Sequence, residues 1–166
     1  MTETSLSSVN STLPSHWKYV SEGGATIVFS YVGPPNEIFD GTVLRLRKVG
    51  VQTPVLEKEQ FGMLDAGPIE EPDDASIVFQ ELCMERLIPP VHLPRLSSVR
   101  VDHVWLEEFA RAHNQDRPLE RSAVGGIDTT KNKAVLANDL VGGVGLAVEI
   151  KVGCHFSCAL FSFSIS

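Results

Sequence analysis

Residues 21–48, SEGGATIVFSYVGPPNEIFDGTVLRLRK, decide how the rest of the chain is read. Gly23 and Gly24 lack a Cβ, so the backbone there can take positive φ, approach a ligand closely and leave amide N–H groups facing an anion. Ala25 and Thr26 keep that approach narrow and polar. Ile27 to Val32 is rich in β-branched and aromatic residues and predicts a strand, and Gly33, Pro34, Pro35 and Asn36 supply a turn. Thr42 to Lys48 predicts the next strand. Its period of two puts Leu44 and Leu46 on one face and Val43, Arg45 and Arg47 on the other, so one face packs while two guanidinium groups point the opposite way. A glycine turn beside two guanidiniums suggests a phosphate site. Glycine pairs also serve as plain turns, and arginines on a polar strand face are also simply solvated; spacing alone leaves both readings open.

Composition sets the outer limits. The chain has 166 residues, 43% apolar and 21% charged, which is ordinary for one globular unit with a core. Twenty-one acidic against fourteen basic side chains give a formal charge of −7, which argues against a general nucleic-acid or anionic-membrane binder but leaves room for a local basic pocket. Cys83, Cys154 and Cys158 are odd in number and follow no secretory signal, so an intracellular, reducing setting, cytoplasmic or nuclear, is expected. Met1 to Ser15 is polar and Ser/Thr-rich and reads as a mobile tail. No segment approaches the ~20 apolar residues of a membrane-spanning helix.

Further along, Trp17 to Val20 predicts a first strand entering the glycine turn. Val49 to Pro72 reads as a loop or a broken short helix. Asp73 and Asp74 head an apolar run in which Val78, Leu82, Glu85 and Leu87 recur at helical spacing until Pro89-Pro90. Glu81 and Glu85 are candidates to pair with an arginine of the central strand, although solvation is the simpler fate. A second amphipathic run spans Asp102 to His113, with Trp105 and Phe109 as its packing ridge. His92, His103 and His113 lack ligand spacing. Gly125-Gly126 breaks any helix begun near Arg121, Ala134 to Leu136 predicts a short buried strand, and Leu146 to Lys151 another.

Several blocks resemble a known family. Glu22-Gly23-Gly24-Ala25, followed by Val43-Leu44-Arg45-Leu46-Arg47-Lys48, is similar to the amino-terminal signature of the inositol-pentakisphosphate 2-kinase family. Arg117-Pro118-Leu119-Glu120-Arg121, Ile127-Asp128-Thr129-Thr130 and Leu136-Ala137-Asn138-Asp139 resemble its next block in order and spacing. Val148-Glu149-Ile150-Lys151 resembles the start of its Glu-x-Lys-Pro-Lys motif.

The resemblance implies an α+β fold, a small and mostly antiparallel sheet with one or two helices, like the amino-terminal lobe of inositol-polyphosphate kinases, over residues 16–151. It implies transfer of the ATP γ-phosphoryl group to the 2-hydroxyl of inositol 1,3,4,5,6-pentakisphosphate, giving inositol hexakisphosphate, with Mg²⁺ bridging the ATP oxygens. Gly23, Gly24, Ala25 and Thr26 would cover the phosphates, Arg45 and Lys151 would neutralise them, and Asn138, Asp139 and Leu140 would hold the adenine end. Arg121 would grip an inositol phosphate. The family's zinc ligands and catalytic acid belong to a larger carboxyl-terminal lobe, so no metal ligand is expected here, and a monomer is.

After Glu149-Ile150-Lys151 the family continues with proline and a second lysine, whereas this chain has Val152 and Gly153. Residues 152–166 read as a tail foreign to the family, a retained intron or a shifted frame. Cys154, His155 and Cys158 lack the separated pairs of a structural zinc site. The alternative to a kinase is a truncated, non-catalytic fragment with weak nucleotide or polyphosphate binding, since a site between two lobes needs both.

Overall fold

The computed structural model describes residues 8–50 and 71–140. Six strands form one sheet: β1 (Trp17–Glu22), β2 (Thr26–Tyr31), β3 (Thr42–Gly50), β4 (Leu96–Arg100), β5 (Gly125–Ile127) and β6 (Lys133–Asn138). The spatial order is β1-β2-β3-β6-β4, with β5 pairing the far end of β3, and every pairing of these strands is antiparallel. With the helices α1 (Ala75–Leu82), α2 (His103–His113) and the single turn α3 (Leu119–Ser122), the fold is α+β, as expected.

Alternation in β3 works as the sequence indicates. Leu44 and Leu46 are buried with Ile27 and Phe29 of β2 and Leu136 of β6 in the core that α2 covers. Phe109 of α2 meets Phe29 edge-on at 4.7 Å and stacks on Trp105 at 4.6 Å, so the Trp105 and Phe109 ridge is what seats the helix on the sheet. Asp102 caps α2 by accepting from the Val104 amide at 2.8 Å, which satisfies one of the donors a helix start leaves open. Buried His113 ends the helix between Phe29 and Phe109, with Nδ1 2.8 Å from Asp116 and Nε2 3.0 Å from the Pro14 carbonyl.

Three expectations change. Residues 8–15 are not loose: Val9 is fully buried, and buried Thr12 donates to the Val9 carbonyl while accepting from the Trp17 indole at 2.9 Å. The Trp105 indole donates to the Thr12 carbonyl at 2.8 Å. Two tryptophans need buried acceptors, and this polar segment supplies them. Secondly, the helix expected from Asp73 towards Leu87 keeps its Asp74 cap but ends at Leu82. Of its apolar residues only Ile77 is buried, whereas Val78, Phe79, Leu82 and Leu87 are exposed. Thirdly, the Gly33 to Asn36 turn is the opening of a longer connection. Asn36 Oδ1 accepts from the Ile38 and Phe39 amides, Phe39 plugs the core beside Trp17, and Gly41, at φ +69°, turns the chain into β3. The expected loop at 49–72, apart from its two ends, the strand at 146–151 and the tail from 152 lie outside the described residues.

Thr12→Val should leave the Trp17 indole N–H buried without an acceptor and lower unfolding free energy by about 1–3 kcal/mol in urea denaturation. Ser11→Ala, one residue away and exposed, should change it by less than about 0.5 kcal/mol; equal, small effects would restore the loose-tail reading.

Candidate functional site

The β1–β2 hairpin is built around an irregularity. Tyr19 pairs with Phe29 but Ser21 pairs with Val28, so Val20 is an extra residue, a β-bulge. Because side chains alternate with period two, the bulge moves Glu22 onto the core face opposite Ile27, where unbulged pairing would place it on the other face. There its side chain is 1% exposed and its Oε2 accepts both Lys48 Nζ at 3.0 Å and Arg117 Nη2 at 2.7 Å. Lys48 Nζ also donates to the Gly23 carbonyl, and Arg117 Nη2 to the carbonyls of Gly125 at 2.8 Å and Arg121 at 3.4 Å. Burial pushes the Glu22 carboxyl up, but the hydrogen bonds and charges of Arg117 and Lys48 outweigh it and hold the group below its ordinary value. Glu22 Oε1 and Arg117 Nε have no hydrogen-bond partner among the described residues.

The glycine pair follows this cluster directly. Neither glycine has positive φ, contrary to the backbone that the sequence allows. The Gly23 amide donates to the Thr26 carbonyl at 2.9 Å and is engaged in the hairpin, not turned towards an anion. A Cβ on either glycine would meet nothing within 4 Å among the described residues. Gly125 is a glycine that sterics demand: a Cβ there would lie 2.8 Å from the Val49 carbonyl.

The opposite sheet face carries Thr26, Val28 and Ser30 of β2 beside Val43, Arg45 and Arg47 of β3. The two guanidiniums differ. Arg47 Nε lies 2.6 Å from Asp74 Oδ2, so the central strand's partner is the α1 cap, in place of Glu81 or Glu85. Burial raises the Asp74 carboxyl, and the Ser76 hydroxyl and amide together with Arg47 outweigh this and keep it lowered. Arg45 is half-buried and has no ion-pair or hydrogen-bond partner among the described residues.

At the far end of that face, Ser30 donates to Asp139, and the Asp139 amide donates to the Gly41 carbonyl at 2.8 Å. Asn138 Oδ1 accepts from the Arg95 amide at 2.7 Å. Leu140 is exposed. Lys18, Tyr19, Ser30, Gly41 and Asp139 line a recess of about 420 Å³. Gly23 to Thr26 and Asn138 to Leu140 therefore stand at opposite ends of the sheet, with Arg45 between them. Arg121 is on α3, exposed, its backbone bonded to Arg117. Glu149, Ile150 and Lys151 lie outside the described residues. Among the described residues no three His, Cys, Asp or Glu side chains converge on a metal-sized site, and no helix is long and apolar enough to cross a membrane.

The pairing of Glu22 with Lys48 and Arg117 depends on a bulge that alternation cannot reveal, and its only trace in the sequence is a carboxylate ending an otherwise half-buried strand.

Glu22→Gln leaves two buried cations with no carboxylate and should cost about 3–5 kcal/mol of unfolding free energy. Because the folded carboxyl is held low, its stabilisation is present above the ordinary glutamate value and is lost as pH falls through that value towards the lowered one. Denaturant midpoints measured across that acidic window should fall more steeply for the unaltered chain than for Glu22→Gln; parallel curves would show that the buried pair carries no such energy.

The pattern of the family described as "Inositol-pentakisphosphate 2-kinase" matches residues 19–162. A curated inositol-pentakisphosphate 2-kinase from Arabidopsis thaliana is 27% identical over 164 residues, covering 86% of this chain and 36% of the relative. Another, from Cryptococcus neoformans var. neoformans serotype D, is 30% identical over 148 residues, covering 84% and 32%. The chain thus spans about a third of the length of these curated relatives. With the match running through the hairpin, the central strand, α3 and β6, the chain belongs to the inositol-pentakisphosphate 2-kinase family.

Proposed function

We propose that this chain supplies the nucleotide-covering sheet and one inositol-phosphate contact of a kinase that transfers the ATP γ-phosphoryl group to the 2-hydroxyl of inositol 1,3,4,5,6-pentakisphosphate, giving inositol hexakisphosphate. The observation that carries the reading is Arg45: a half-buried guanidinium with no protein partner among the described residues, on the sheet face between the glycine hairpin and the Asp139 recess. Ser30 and Thr26 are four residues apart along β2, about 13 Å at the strand rise, which suits a nucleotide lying along the face with its base by Asn138, Asp139 and Leu140 and its phosphates under Gly23, Gly24, Ala25 and Thr26. In this reading Arg45 and Lys151 neutralise phosphate charge, and exposed Arg121 offers a bidentate fork to an inositol phosphate. Positioning and charge neutralisation are what phosphoryl transfer asks of a protein. Mg²⁺ would come with the nucleotide and reduce the repulsion between its phosphates; no cluster of three His, Cys, Asp or Glu side chains among the described residues fits it.

In a polypeptide extended to the length of the curated relatives, Arg45→Ala should weaken ATP binding by about 1.5–3 kcal/mol, roughly 10- to 150-fold, in calorimetric titration. Unchanged affinity would return Arg45 to the solvent-exposed strand reading. In the same polypeptide Arg121→Ala should raise KM for the inositol phosphate while leaving that for ATP nearly unchanged, and equal effects on both would make Arg121 structural.

A further inference from the structure

Arg117 touches neither end of the proposed site by way of an exposed side chain; it is 3% exposed, yet one of its nitrogens meets three elements. Nη2 donates to the Glu22 carboxylate that ends β1, to the Gly125 carbonyl that begins β5 and to the Arg121 carbonyl in α3. Glu22 in turn holds Lys48, which donates to the Gly23 carbonyl. An unbroken series of contacts therefore runs from the glycine turn through Lys48, Glu22 and Arg117 to the backbone of Arg121. Beyond its own turn hydrogen bonds and its contact with β5, the α3 turn is shallowly seated among the described residues: Leu119 is 86% exposed and none of its residues is buried. A four-residue helix has little stability of its own, and the buried pair is the side-chain contact that ties the Arg121 backbone to the end of β1.

We propose that Arg117 is a positioning residue: fixed by Glu22, it holds Arg121 against the hairpin, so that the inositol-phosphate contact and the nucleotide cover form as one unit. This rests on the role given above to Arg121. The chemistry favours arginine at 117, because a planar guanidinium can face a carboxylate and two carbonyls at once, whereas a lysine ammonium on a flexible stem holds no such fixed fork. A phosphate that orders Arg121 thereby orders Gly23 to Ala25 as well, without touching them.

Amide hydrogen exchange followed by NMR in the 166-residue chain tests this. In Glu22→Gln, Arg117→Gln and Arg117→Lys, exchange at 119–124 and at 23–26 should quicken at least tenfold more than in the α2 core. Phe109→Leu, which weakens the core without touching the pair, should quicken exchange evenly. Should Arg117→Gln fail to fold, Glu22→Gln and Arg117→Lys still decide; even acceleration in the variants that fold, or none at 119–124, overturns the proposal. A second arm adds inositol hexakisphosphate as the probe. Shifts at Arg121 accompanied by shifts at Gly23 to Ala25, with the latter lost in Arg117→Lys, support the coupling, and shifts at Arg121 alone overturn it. If the probe moves no resonance while exchange behaves as expected, the substrate role of Arg121 fails and the positioning role of Arg117 stands.

Discussion

A single buried carboxylate oxygen, Glu22 Oε2, accepts two cations that arrive from different parts of the chain. Burying three charges costs several kcal/mol per ion unless each is well paired, so once the sheet has closed over them their geometry is tightly constrained. The constraint reaches outward through the same atoms. It fixes the end of β1, the last residues of β3, the start of β5 and the α3 turn, all at the hairpin end of the sheet. One extra residue, Val20, makes it attainable, because only the bulge delivers Glu22 to the face where Lys48 and Arg117 lie. The hydrophobic core gives the sheet its stability, and this cluster gives its open end a defined shape.

The other face shows a division between two chemically identical groups. Arg45 and Arg47 point the same way from β3, two residues apart, and differ in what lies nearby. Arg47 is neutralised by the carboxylate that also caps α1, a structural use in which one aspartate both starts a helix and docks it. Arg45 is flanked by Val28 of β2 and Val135 of β6 and has no ion-pair partner among the described residues. A half-buried guanidinium in apolar surroundings is poorly solvated, and an anionic ligand improves its situation more than it would that of a surface arginine.

Much of the fold is legible in the residue pattern, and the exceptions have physical causes. Period-two alternation identifies β3 and the Leu44 and Leu46 face, and the Asp74 and Asp102 caps mark both longer helices, because these depend on neighbours in sequence. The segment around Val9 and Thr12 looks like solvated polar chain, and its burial follows from two indoles that need acceptors, one of them 93 residues away. β5 is three residues with two glycines, and its existence depends on close approach to β3 that no local propensity encodes. β4, with the sequence Leu-Ser-Ser-Val-Arg, is an edge strand whose short pattern is too slight to distinguish from a loop. For the site, the sequence supplies Arg45 and Arg121 as residues but cannot show that Arg47 is occupied and Arg45 is not, since that depends on where α1 docks.

Helix α1 carries a consequence of its own. It buries only Ile77 and is held to the sheet by the Arg47 to Asp74 pair and by Gln80 reaching the Pro94 carbonyl at 3.0 Å. Most of the apolar area that normally seats a helix is turned outward as Val78, Phe79 and Leu82. An element attached mainly through polar contacts is sensitive to dissolved ions, because a partly exposed pair loses strength as the Debye length shrinks from about 30 Å at 0.01 M to about 8 Å at 0.15 M. Ionic strength should therefore bear more on the seating of this helix than on the sheet behind it, whose Glu22 pairs are buried. Were α1 to loosen, the guanidinium of Arg47 would be released onto the same face as Arg45, and the charge that face presents to an anion would then depend on the solution around it.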